Sequence, residues 1–174
     1  MNKEFFDGQD ELLILVDEND KEIGTQDKLS VHLDGVLHRA FSVFIFNSQN
    51  ELLLQQRSSI KYHSPGLWTN TCCSHPRPGE STLSACNRRL NEEMGMKADL
   101  IFSFSFLYKF EFPNGLTEHE YDHVYFGTSD LEPQINRDEV NDWKYISIGN
   151  LEKEISINPE LYTPWLKICM PYLK

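Results

Sequence analysis

Short runs of apolar and β-branched residues alternate with polar turns along the first half of the chain. Residues 11–17 contain the run Leu-Leu-Ile-Leu-Val and predict a first strand, which a turn at residues 18–22 follows. Residues 40–46 and 51–56 predict two further strands, joined as a hairpin by the polar loop 47–50. Because apolar residues occupy both faces of the strand at 40–46, we expect it to lie centrally in a sheet covered on both sides.

The pattern changes to a helical period after an irregular stretch at residues 58–80, which is long for a connection and therefore indicates a functional loop. Apolar residues three or four positions apart then predict a helix with the buried stripe Leu83, Cys86, Leu90 and Met94. Ser81 or Thr82 can cap its start, and Gly95 can end it. The charged residues of the helix fall largely outside this stripe: Arg88, Arg89, Glu92 and Glu93.

The second half of the chain predicts three more strands, at residues 99–112, 120–128 and 142–148. The first two flank a turn at residues 113–115, and short helices are expected near residues 149–154 and 159–170. Because the hairpins exclude an all-parallel sheet, the predicted class is α+β, or mixed α/β, with a mixed sheet sandwiched between helices.

Composition limits the class of protein. The chain has 174 residues, of which 40% are hydrophobic and 25% charged, and we expect one globular domain over residues 1–174. The net charge of -11 argues against a broad nucleic-acid surface, because phosphate backbones require clustered Lys and Arg. A small anion can still bind where a local basic cluster or a metal ion holds it.

The N-terminus and the cysteines predict the compartment. Residues 1–4 carry mixed charge without the apolar core of a signal peptide, and no apolar run is long enough for a membrane helix. We therefore expect a cytoplasmic protein with no membrane partner. The cysteines match neither a disulfide framework nor paired zinc knuckles and are expected to be reduced thiols: Cys72, Cys73, Cys86 and Cys169.

Three histidines and two carboxylates are candidate metal ligands: His32, His38, His75, Glu118 and Glu120. If Glu118 and Glu120 lie on one strand they share a face, where two carboxylates repel unless a cation or a shared proton lies between them. Three imidazoles with two carboxylates suit a divalent transition metal such as Zn²⁺ or Mn²⁺. Taken singly, each histidine also fits a solvated loop, and each glutamate a solvated strand face.

A thiol and an imidazole share one side of an extended segment. Cys73 and His75, two residues apart, point to the same side, whereas Cys72 points away and is assigned to packing. Cys73, Glu120 and Tyr108 are candidate proton-transfer groups, because a metal or burial can tune the pKa of a thiol, a carboxylate or a phenol. The alternative for Cys73 alone is an inert small apolar residue.

Six of the 16 basic residues form a candidate anion site, and several of them flank the irregular stretch: Lys28, Arg57, Lys61, Arg77, Arg88 and Arg89. Together they can grip a diphosphate. The alternative is a set of helical ion pairs four residues apart, such as Arg88 with Glu92 and Arg89 with Glu93. For Arg88 we favour the ion pair.

The predicted helix and the loop before it resemble the Nudix box, in which G, five residues, E and seven residues precede R-E-U-x-E-E-x-G-U, with U apolar. The matching residues are Glu80, Arg88, Leu90, Glu92, Glu93, Gly95 and Met96. Ser74 replaces the opening Gly, and Arg89 replaces the first Glu of R-E-U. A cation where hydrolysing members carry a carboxylate should disrupt metal-assisted activation of water. The resemblance therefore implies a Nudix-like fold in which diphosphate hydrolysis is disfavoured.

Further motifs make the chain similar to the type I isopentenyl diphosphate isomerases over roughly residues 10–170. These motifs are Pro65-Gly66-Leu67-Trp68-Thr69-Asn70, Cys73-Ser74-His75-Pro76, Gly79-Glu80-Ser81, Glu118-x-Glu120 and Thr163-Pro164-Trp165. That family interconverts isopentenyl and dimethylallyl diphosphate in isoprenoid precursor biosynthesis. The resemblance implies an isomerase that shifts the C=C bond of a small-molecule diphosphate.

The resemblance also implies a role for each candidate residue. Cys73 and Glu120 would flank the substrate as proton-transfer groups, with Tyr108 hydrogen-bonded to Glu120. The Mn²⁺ or Zn²⁺ ligands would be His32, His38, His75, Glu118 and Glu120. A second cation, Mg²⁺, would join the diphosphate to Glu93 and the backbone carbonyl of Cys73.

The substrate-binding residues implied by the resemblance are Lys28, Arg57, Lys61, Arg89 and Trp165. The π face of Trp165 would stabilise a carbocation, although a core tryptophan explains this residue equally well from the sequence alone. The N-terminal segment of about residues 1–35 is expected to contribute to an active-site lid. We expect a monomer or weak dimer that binds neither nucleic acid nor membrane.

Two alternatives remain at this point. One is a Nudix hydrolase that cleaves a nucleoside diphosphate derivative, which Arg89 and the Cys-x-His segment disfavour. The other is a non-catalytic module that senses a diphosphate ligand, in which the proton-transfer set should be incomplete.

Overall fold

The computed structural model describes residues 11–61 and 63–173, which form a mixed nine-stranded sheet with helices on both faces. The strands are β1 (Leu12–Val16), β2 (Glu22–Asp27), β3 (His38–Phe46), β4 (Glu51–Arg57), β5 (Trp68–Thr69), β6 (Cys72–Ser74), β7 (Ile101–Glu111), β8 (Thr117–Thr128) and β9 (Val140–Ser147). The helices are α1 (Lys28–Asp34), α2 (Thr82–Met94), α3 (Ile148–Ile157) and α4 (Pro164–Cys169), with short 3₁₀ helices at Pro159–Leu161 and Met170–Tyr172. The predicted fold class is confirmed.

β3 is the central strand of the sheet. Along its whole length it pairs in parallel with β8, and its other edge is shared by β1, β6 and β4, all antiparallel. β4 pairs with β3 at Leu52 and Phe46 and then runs along β9, so the two strands of the predicted hairpin diverge beyond their turn. β6 and β8 therefore lie on opposite edges of the same strand.

Each face of β3 belongs to a different apolar core. Phe41, Val43 and Ile45 pack with α2, whereas Phe44 packs with α3 and α4, and all four side chains are fully buried. Burial of one such side chain contributes roughly 1.5–3 kcal/mol. The expectation that residues 40–46 form a central strand covered on both faces is confirmed.

α2 begins and ends where the sequence predicts. The Ser81 hydroxyl oxygen accepts the Ser84 N–H at the start, and Gly95 ends the helix with a φ of 61°. A Cβ at Gly95 would lie 2.5 Å from the Gln134 carbonyl oxygen, so this position requires glycine. At 13 residues α2 is the longest described helix, and none of the described helices has the length and apolar character needed to span a membrane.

The buried face of α2 differs from the prediction at two positions. Leu83 is 42% exposed, because the buried stripe of the helix starts only at Ala85 and Cys86. Glu93 is buried, since its side chain turns towards β4, where Gln55 donates a hydrogen bond to it. One predicted core residue therefore faces solvent, and one charged residue faces inward.

The polar segment after β1 is regular, which the sequence pattern did not predict. β2 pairs with β1, and α1 starts at Lys28 after the N-cap residue Asp27, whose side chain accepts the Ser30 N–H. β2 carries no buried residue and α1 has only seven residues, so neither element gives a clear hydrophobic period in the sequence. This part of the predicted lid brings Lys28 and His32 to one helix, whereas residues 1–10 lie outside the described residues.

Candidate active site

Backbone carbonyls orient the imidazoles of His32 and His38. His32 Nδ1 lies 2.6 Å from the Lys28 carbonyl oxygen, one turn earlier in α1, and His38 Nδ1 lies 2.9 Å from the Val36 carbonyl oxygen. Because a carbonyl oxygen can only accept, each Nδ1 carries a proton, which fixes the orientation of each ring. Both residues are buried, so the two Nε2 atoms point into the protein interior.

A third imidazole and a carboxylate complete a cluster of four ligand groups. His75 Nε2 lies 3.3 Å from His38 Nε2, and Glu118 Oε2 lies 3.2 Å from His32 Nε2. One ligand atom from each of the four residues lies within 4.8 Å of all the others. The structure thus brings four predicted ligands together, and their nitrogen and oxygen atoms suit a divalent transition metal.

Glu120, the fifth predicted ligand, adjoins this cluster. Its Oε1 lies 3.1 Å from His75 Nε2 and 3.7 Å from His38 Nε2. Its Oε2 accepts a 2.7 Å hydrogen bond from the Tyr108 hydroxyl. Glu118 and Glu120 are both buried and lie on one face of β8, as predicted.

Two buried carboxylates so close to each other require compensating charge. Burial opposes ionisation of Glu118, and Glu120 adds to this effect, yet the neighbouring His63 and His32 hold the pKa of Glu118 below its ordinary value. Burial also opposes ionisation of Glu120, but the hydrogen bond and charge of His38 hold the pKa of Glu120 below its ordinary value. Both carboxylates are therefore ionised at neutral pH, which favours a cation in the cluster.

The imidazoles differ in their shifts. Burial opposes protonation of His32, but the hydrogen bond and charge of Glu118 outweigh it and raise the pKa of His32. Burial prevails at His75 and His63. It holds the pKa of His75 well below its usual range, and the neighbouring His38 lowers it further. It likewise holds the pKa of His63 well below the usual range. A neutral imidazole is the form that binds metals and donates single hydrogen bonds.

Cys73 approaches the same cavity from the other edge of β3. Cys73 pairs with Ser42 through β6, and Glu120 pairs with His38 through β8. Cys72 points to the opposite face and is fully buried in the α2-side core. Alternation along β6 therefore separates the two thiols as predicted.

Cys73 and Tyr108 both keep their protons in this environment. Burial raises the pKa of the Cys73 thiol to about 12, although the charge of Arg57 opposes the shift. Burial and then the charge of Glu120 raise the pKa of Tyr108 well above its ordinary value. The site therefore combines a thiol and a phenol that can donate protons with a carboxylate that can accept one.

The predicted catalytic and substrate-binding residues share one cavity of about 690 Å³. All of them line it: Cys73, Glu120, Tyr108, Lys28, Arg57, Lys61, Arg89 and Trp165. The remaining members of the predicted basic group, Arg77 and Arg88, line it as well. This volume suits a small-molecule ligand.

Carboxylates hold the two lysines at the cavity. Lys28 Nζ lies 2.9 Å from Glu11 Oε2, and Lys61 pairs with Glu139. Burial opposes ionisation of Glu139, but the charges of Lys61 and Arg89 hold its pKa below the ordinary value. The structure thereby adds a buried carboxylate that the sequence pattern did not single out.

Arg88 and Arg89 have different partners. Arg88 makes two 2.8 Å hydrogen bonds to Glu80 and a longer 3.4 Å contact with Glu92. The favoured pair with Glu92 is therefore present, but Glu80 is the closer partner. Arg89 contacts Glu92 at 2.8 Å and Glu93 at 2.5 Å, so the alternative pair with Glu93 is also present.

Gln55 positions Glu93. Its Nε2 donates 2.7 Å hydrogen bonds both to Glu93 Oε2 and to the Thr71 carbonyl oxygen. Both Gln55 and Glu93 are buried. The sequence reasoning missed Gln55, and the available signal was an amide within the apolar run of β4.

Trp165 is packed in the protein interior and also lines the cavity. Its Nε1–H donates a 2.8 Å hydrogen bond to Thr69 Oγ1, and only 4% of the residue is exposed. The guanidinium carbon of Arg57 lies 5.4 Å from the ring centroid, which is a cation–π distance. The sequence left open whether Trp165 is a core residue or a π face at the site, and the structure is compatible with both.

His63 is the other side chain at the ligand cluster, and the sequence reasoning did not single it out. Its Nε2 lies 3.1 Å from Glu118 Oε1. His63 belongs to the irregular stretch 58–80, whose length predicted a functional loop. The available signal was its place in that stretch, but only the fold shows which partner it contacts.

Comparison with known proteins identifies a family. A model of the NUDIX domain matches residues 36–166. Isopentenyl-diphosphate Delta-isomerase of Serratia proteamaculans is 54% identical over 92% of this chain and 90% of its own length. Isopentenyl-diphosphate Delta-isomerase of Pectobacterium atrosepticum is 53% identical over 90% of this chain and 87% of its own length.

Solved structures show the same fold at lower identity. DR0079 from Deinococcus radiodurans has a TM-score of 0.79 with 22% identity and covers 94% of this chain and 99% of its own. A MutT protein from Methanosarcina mazei has a TM-score of 0.63 with 18% identity and covers 79% of this chain and 92% of its own. These similarities support the mixed sheet and its helices.

Proposed function

The chain belongs to the isopentenyl-diphosphate Delta-isomerases within the Nudix family, and we propose that it interconverts isopentenyl diphosphate and dimethylallyl diphosphate. The observation that carries this proposal is the position of Cys73 and Glu120, which reach one cavity from strands on opposite edges of β3. A reaction that adds a proton to one carbon and removes one from another can use two such groups, one as the acid and one as the base.

The chemistry sets four demands on the site. An isolated alkene is weakly basic, so its protonation passes through a transition state with tertiary carbocation character. The protein must supply an acid, a base, exclusion of water and an electron-rich neighbour. One proton is added at the end of the alkene and another is lost two carbons away, so the composition of the substrate does not change.

Cys73 and Glu120 are the proposed proton-transfer groups. The acid of the forward reaction is the base of the reverse reaction, so each group holds the proton in one direction. Tyr108 donates to Glu120 Oε2, which orients this carboxylate and leaves its other oxygen towards the histidines. The protonated Cys73 thiol supports the same assignment.

The residues that would hold a divalent transition metal, Mn²⁺ or Zn²⁺, are His32, His38, His75, Glu118 and Glu120. The converging Nε2 atoms and the ionised carboxylates fit such an ion. When bound, the ion supplies positive charge that lowers the pKa of the groups touching it. The protein's part is to hold Glu120 with one oxygen towards this cluster and the other towards Tyr108.

The diphosphate would be held by Lys28, Arg57, Lys61 and Arg89. Their present carboxylate partners include Glu11 and Glu139, which the phosphates would replace. Glu93 and the backbone carbonyl of Cys73 would hold Mg²⁺, which prefers oxygen ligands. The buried position of Glu93 at the cavity supports this assignment.

Trp165 would supply the electron-rich neighbour. A desolvated cation over an indole ring is stabilised by about 2 kcal/mol. The Thr69 hydrogen bond fixes the ring, and Arg57 already makes a cation–π contact with it. The buried surroundings also limit the access of water to a carbocation.

The alternatives have less support. Arg89 replaces a carboxylate of the hydrolytic box, so an acidic group that hydrolysing members carry is replaced by a cation, which pairs with Glu92 and Glu93. A diphosphate-sensing module does not require a proton-transfer set, and here that set shares one cavity.

Other features of this proposal concern the whole chain. We propose one domain over residues 1–174, with the segment 1–35 as part of a lid; α1, in that segment, carries Lys28 to the cavity and His32 to the ligand cluster. We also propose a cytoplasmic monomer or weak dimer that binds no nucleic acid and no membrane. The net charge of -11 supports the absence of a nucleic-acid partner.

The deciding experiment uses isopentenyl diphosphate in D₂O with Mg²⁺ and Mn²⁺, followed by NMR. The expected product is dimethylallyl diphosphate that carries deuterium, without release of phosphate or pyrophosphate. Release of phosphate from a nucleotide without an alkene shift would support the hydrolase instead. Binding of the diphosphate without either reaction would support the sensing module.

A further inference from the structure

The two carboxylate oxygens of Glu118 face different imidazoles. Oε2 lies 3.2 Å from His32 Nε2, within the ligand cluster, whereas Oε1 lies 3.1 Å from His63 Nε2. An ionised carboxylate oxygen only accepts, so a proton on His63 Nε2 would place a donor 3.1 Å from Oε1. This contact leaves Oε2 directed towards the cluster.

His63 also contacts the part of the cavity that is proposed to hold the substrate. Its ring lies edge-on to Trp165 at a centroid distance of 5.8 Å and is stacked with His32 at 6.0 Å. Its backbone carbonyl accepts a 3.2 Å hydrogen bond from Arg57. One residue therefore touches a proposed metal ligand, the proposed π face and a proposed phosphate-binding residue.

We propose that His63 is a positioning residue that orients Glu118 towards the metal through the hydrogen bond from Nε2 to Oε1. The proposal rests on the metal centre described under the proposed function. A group that orients a ligand without touching the ion contributes to metal affinity, and its loss weakens binding on the order of 10–100-fold. His63 acts in this way, because it binds the oxygen that does not face His32.

The position of His63 also links the two halves of the site. The ring that contacts Glu118 also packs against Trp165, whose other contacts include Thr69 and Arg57. The irregular stretch 58–80 thereby carries a ring that lines the cavity and contacts Glu118.

The test measures metal affinity in the full-length, substrate-free protein. Mn²⁺ is titrated into the metal-free protein in competition with a chelating dye, for the wild type and for His63→Ala, His63→Gln and His63→Asn. The amide nitrogen of Gln reaches the position of Nε2, whereas that of Asn reaches only the position of Nδ1. His123→Ala serves as the matched control, because His123 contacts Asp20 instead of the cluster.

We expect His63→Ala and His63→Asn to weaken Mn²⁺ binding on the order of 10–100-fold with an unchanged stoichiometry of one ion in this site. His63→Gln should restore most of the affinity, and His123→Ala should stay within about twofold of the wild type. Rescue by Gln but not by Asn is an outcome that a merely structural role does not produce.

Three outcomes would overturn the inference. Wild-type affinity in His63→Ala would show that the hydrogen bond does not orient Glu118. Complete loss of the bound ion in both the Ala and Gln variants would make His63 a direct ligand. Absence of Mn²⁺ binding in the wild type would remove the metal centre itself, whereas the deuterium experiment tests the isomerase activity separately.

Discussion

The indole Nε1–H of Trp165 donates a 2.8 Å hydrogen bond to the hydroxyl oxygen of Thr69, which joins α4 to β5 at the edge of the cavity. Thr69 is fully buried, and its hydroxyl also lies 2.9 Å from Asn70 Oδ1 and 3.0 Å from Thr163 Oγ1. One hydroxyl therefore fixes the proposed π face relative to the strands that carry the proton-transfer groups.

Thr69→Val should lower both stability and turnover. The variant keeps the shape of the side chain but leaves the buried Trp165 N–H without its acceptor, which costs about 1–3 kcal/mol. We expect kcat to fall more than KM rises, because the ring acts on the carbocation and not on the diphosphate. Chemical denaturation and steady-state kinetics check both effects. Thr69→Ser keeps the hydroxyl, and equal losses in the Ser and Val variants would contradict the role of the hydrogen bond.

The neighbouring thiols should respond differently to removal. Cys73→Ala should lower kcat by roughly 10²–10⁴-fold or more, because it deletes a proton-transfer group at the cavity. Cys72→Ala should keep most of the turnover, since this side chain packs in the α2-side core. Deuterium incorporation into dimethylallyl diphosphate measures both variants. Similar activities of the two variants would show that Cys73 is not the catalytic thiol.

Removal of the metal should abolish turnover while the protein stays folded. The interior holds two ionised carboxylates within one cluster of metal-ligand groups, and we expect a cation to balance their charge during catalysis. Treatment with a chelator followed by dialysis should give inactive protein, and Mn²⁺ should restore activity. Circular dichroism controls for unfolding. Full activity in protein shown to be metal-free would remove the His/Glu cluster from the mechanism.

Gln55→Met should weaken the activation of the enzyme by Mg²⁺ without changing its activation by Mn²⁺. Met has a similar volume but cannot donate to Glu93, so the carboxylate loses a partner that orients it. The Mg²⁺ concentration for half-maximal activity should rise on the order of tenfold. Gln56→Met is the matched control, because Gln56 donates to the Gly66 carbonyl oxygen instead. An equal effect of both variants would argue for a general loss of strand stability.

Glu139 should make stability depend on pH in the acidic range. Burial opposes its ionisation, but Lys61 and Arg89 hold its folded-state pKa below the unfolded value of 4.5. Its contribution is therefore fully present above that value and is lost as the pH falls through the folded-state pKa. Denaturant titrations between about pH 3 and 6 give the free energy of unfolding at each pH. As the pH falls, this free energy should decrease less in Glu139→Gln than in the wild type. An identical dependence of the free energy of unfolding on pH in both proteins would show that Glu139 does not gain its partners on folding.

The elements with a strong hydrophobic period were predictable, and those without one were not. The central strand at residues 40–46 and the cap residues of α2 follow directly from local patterns, because burial and capping act on neighbouring residues. β2 and α1 were missed, since the first buries no residue and the second has only seven. The hydrophobic period includes Leu83 in the buried stripe, but Leu83 faces solvent. A period alone does not show at which residue other elements begin to pack against the helix.

The sequence by itself determined the family resemblance, the fold class and the chemical identity of the candidate ligands and proton-transfer groups. The tertiary structure alone decided which groups meet: Gln55 with Glu93, Glu139 with Lys61, and His63 with Glu118. The physical reason is that these contacts join residues 38 to 78 positions apart. Gln55 lies on β4, Glu93 on α2 and Glu118 on β8, so these contacts depend on how elements distant in the sequence pack together, which no local spacing encodes.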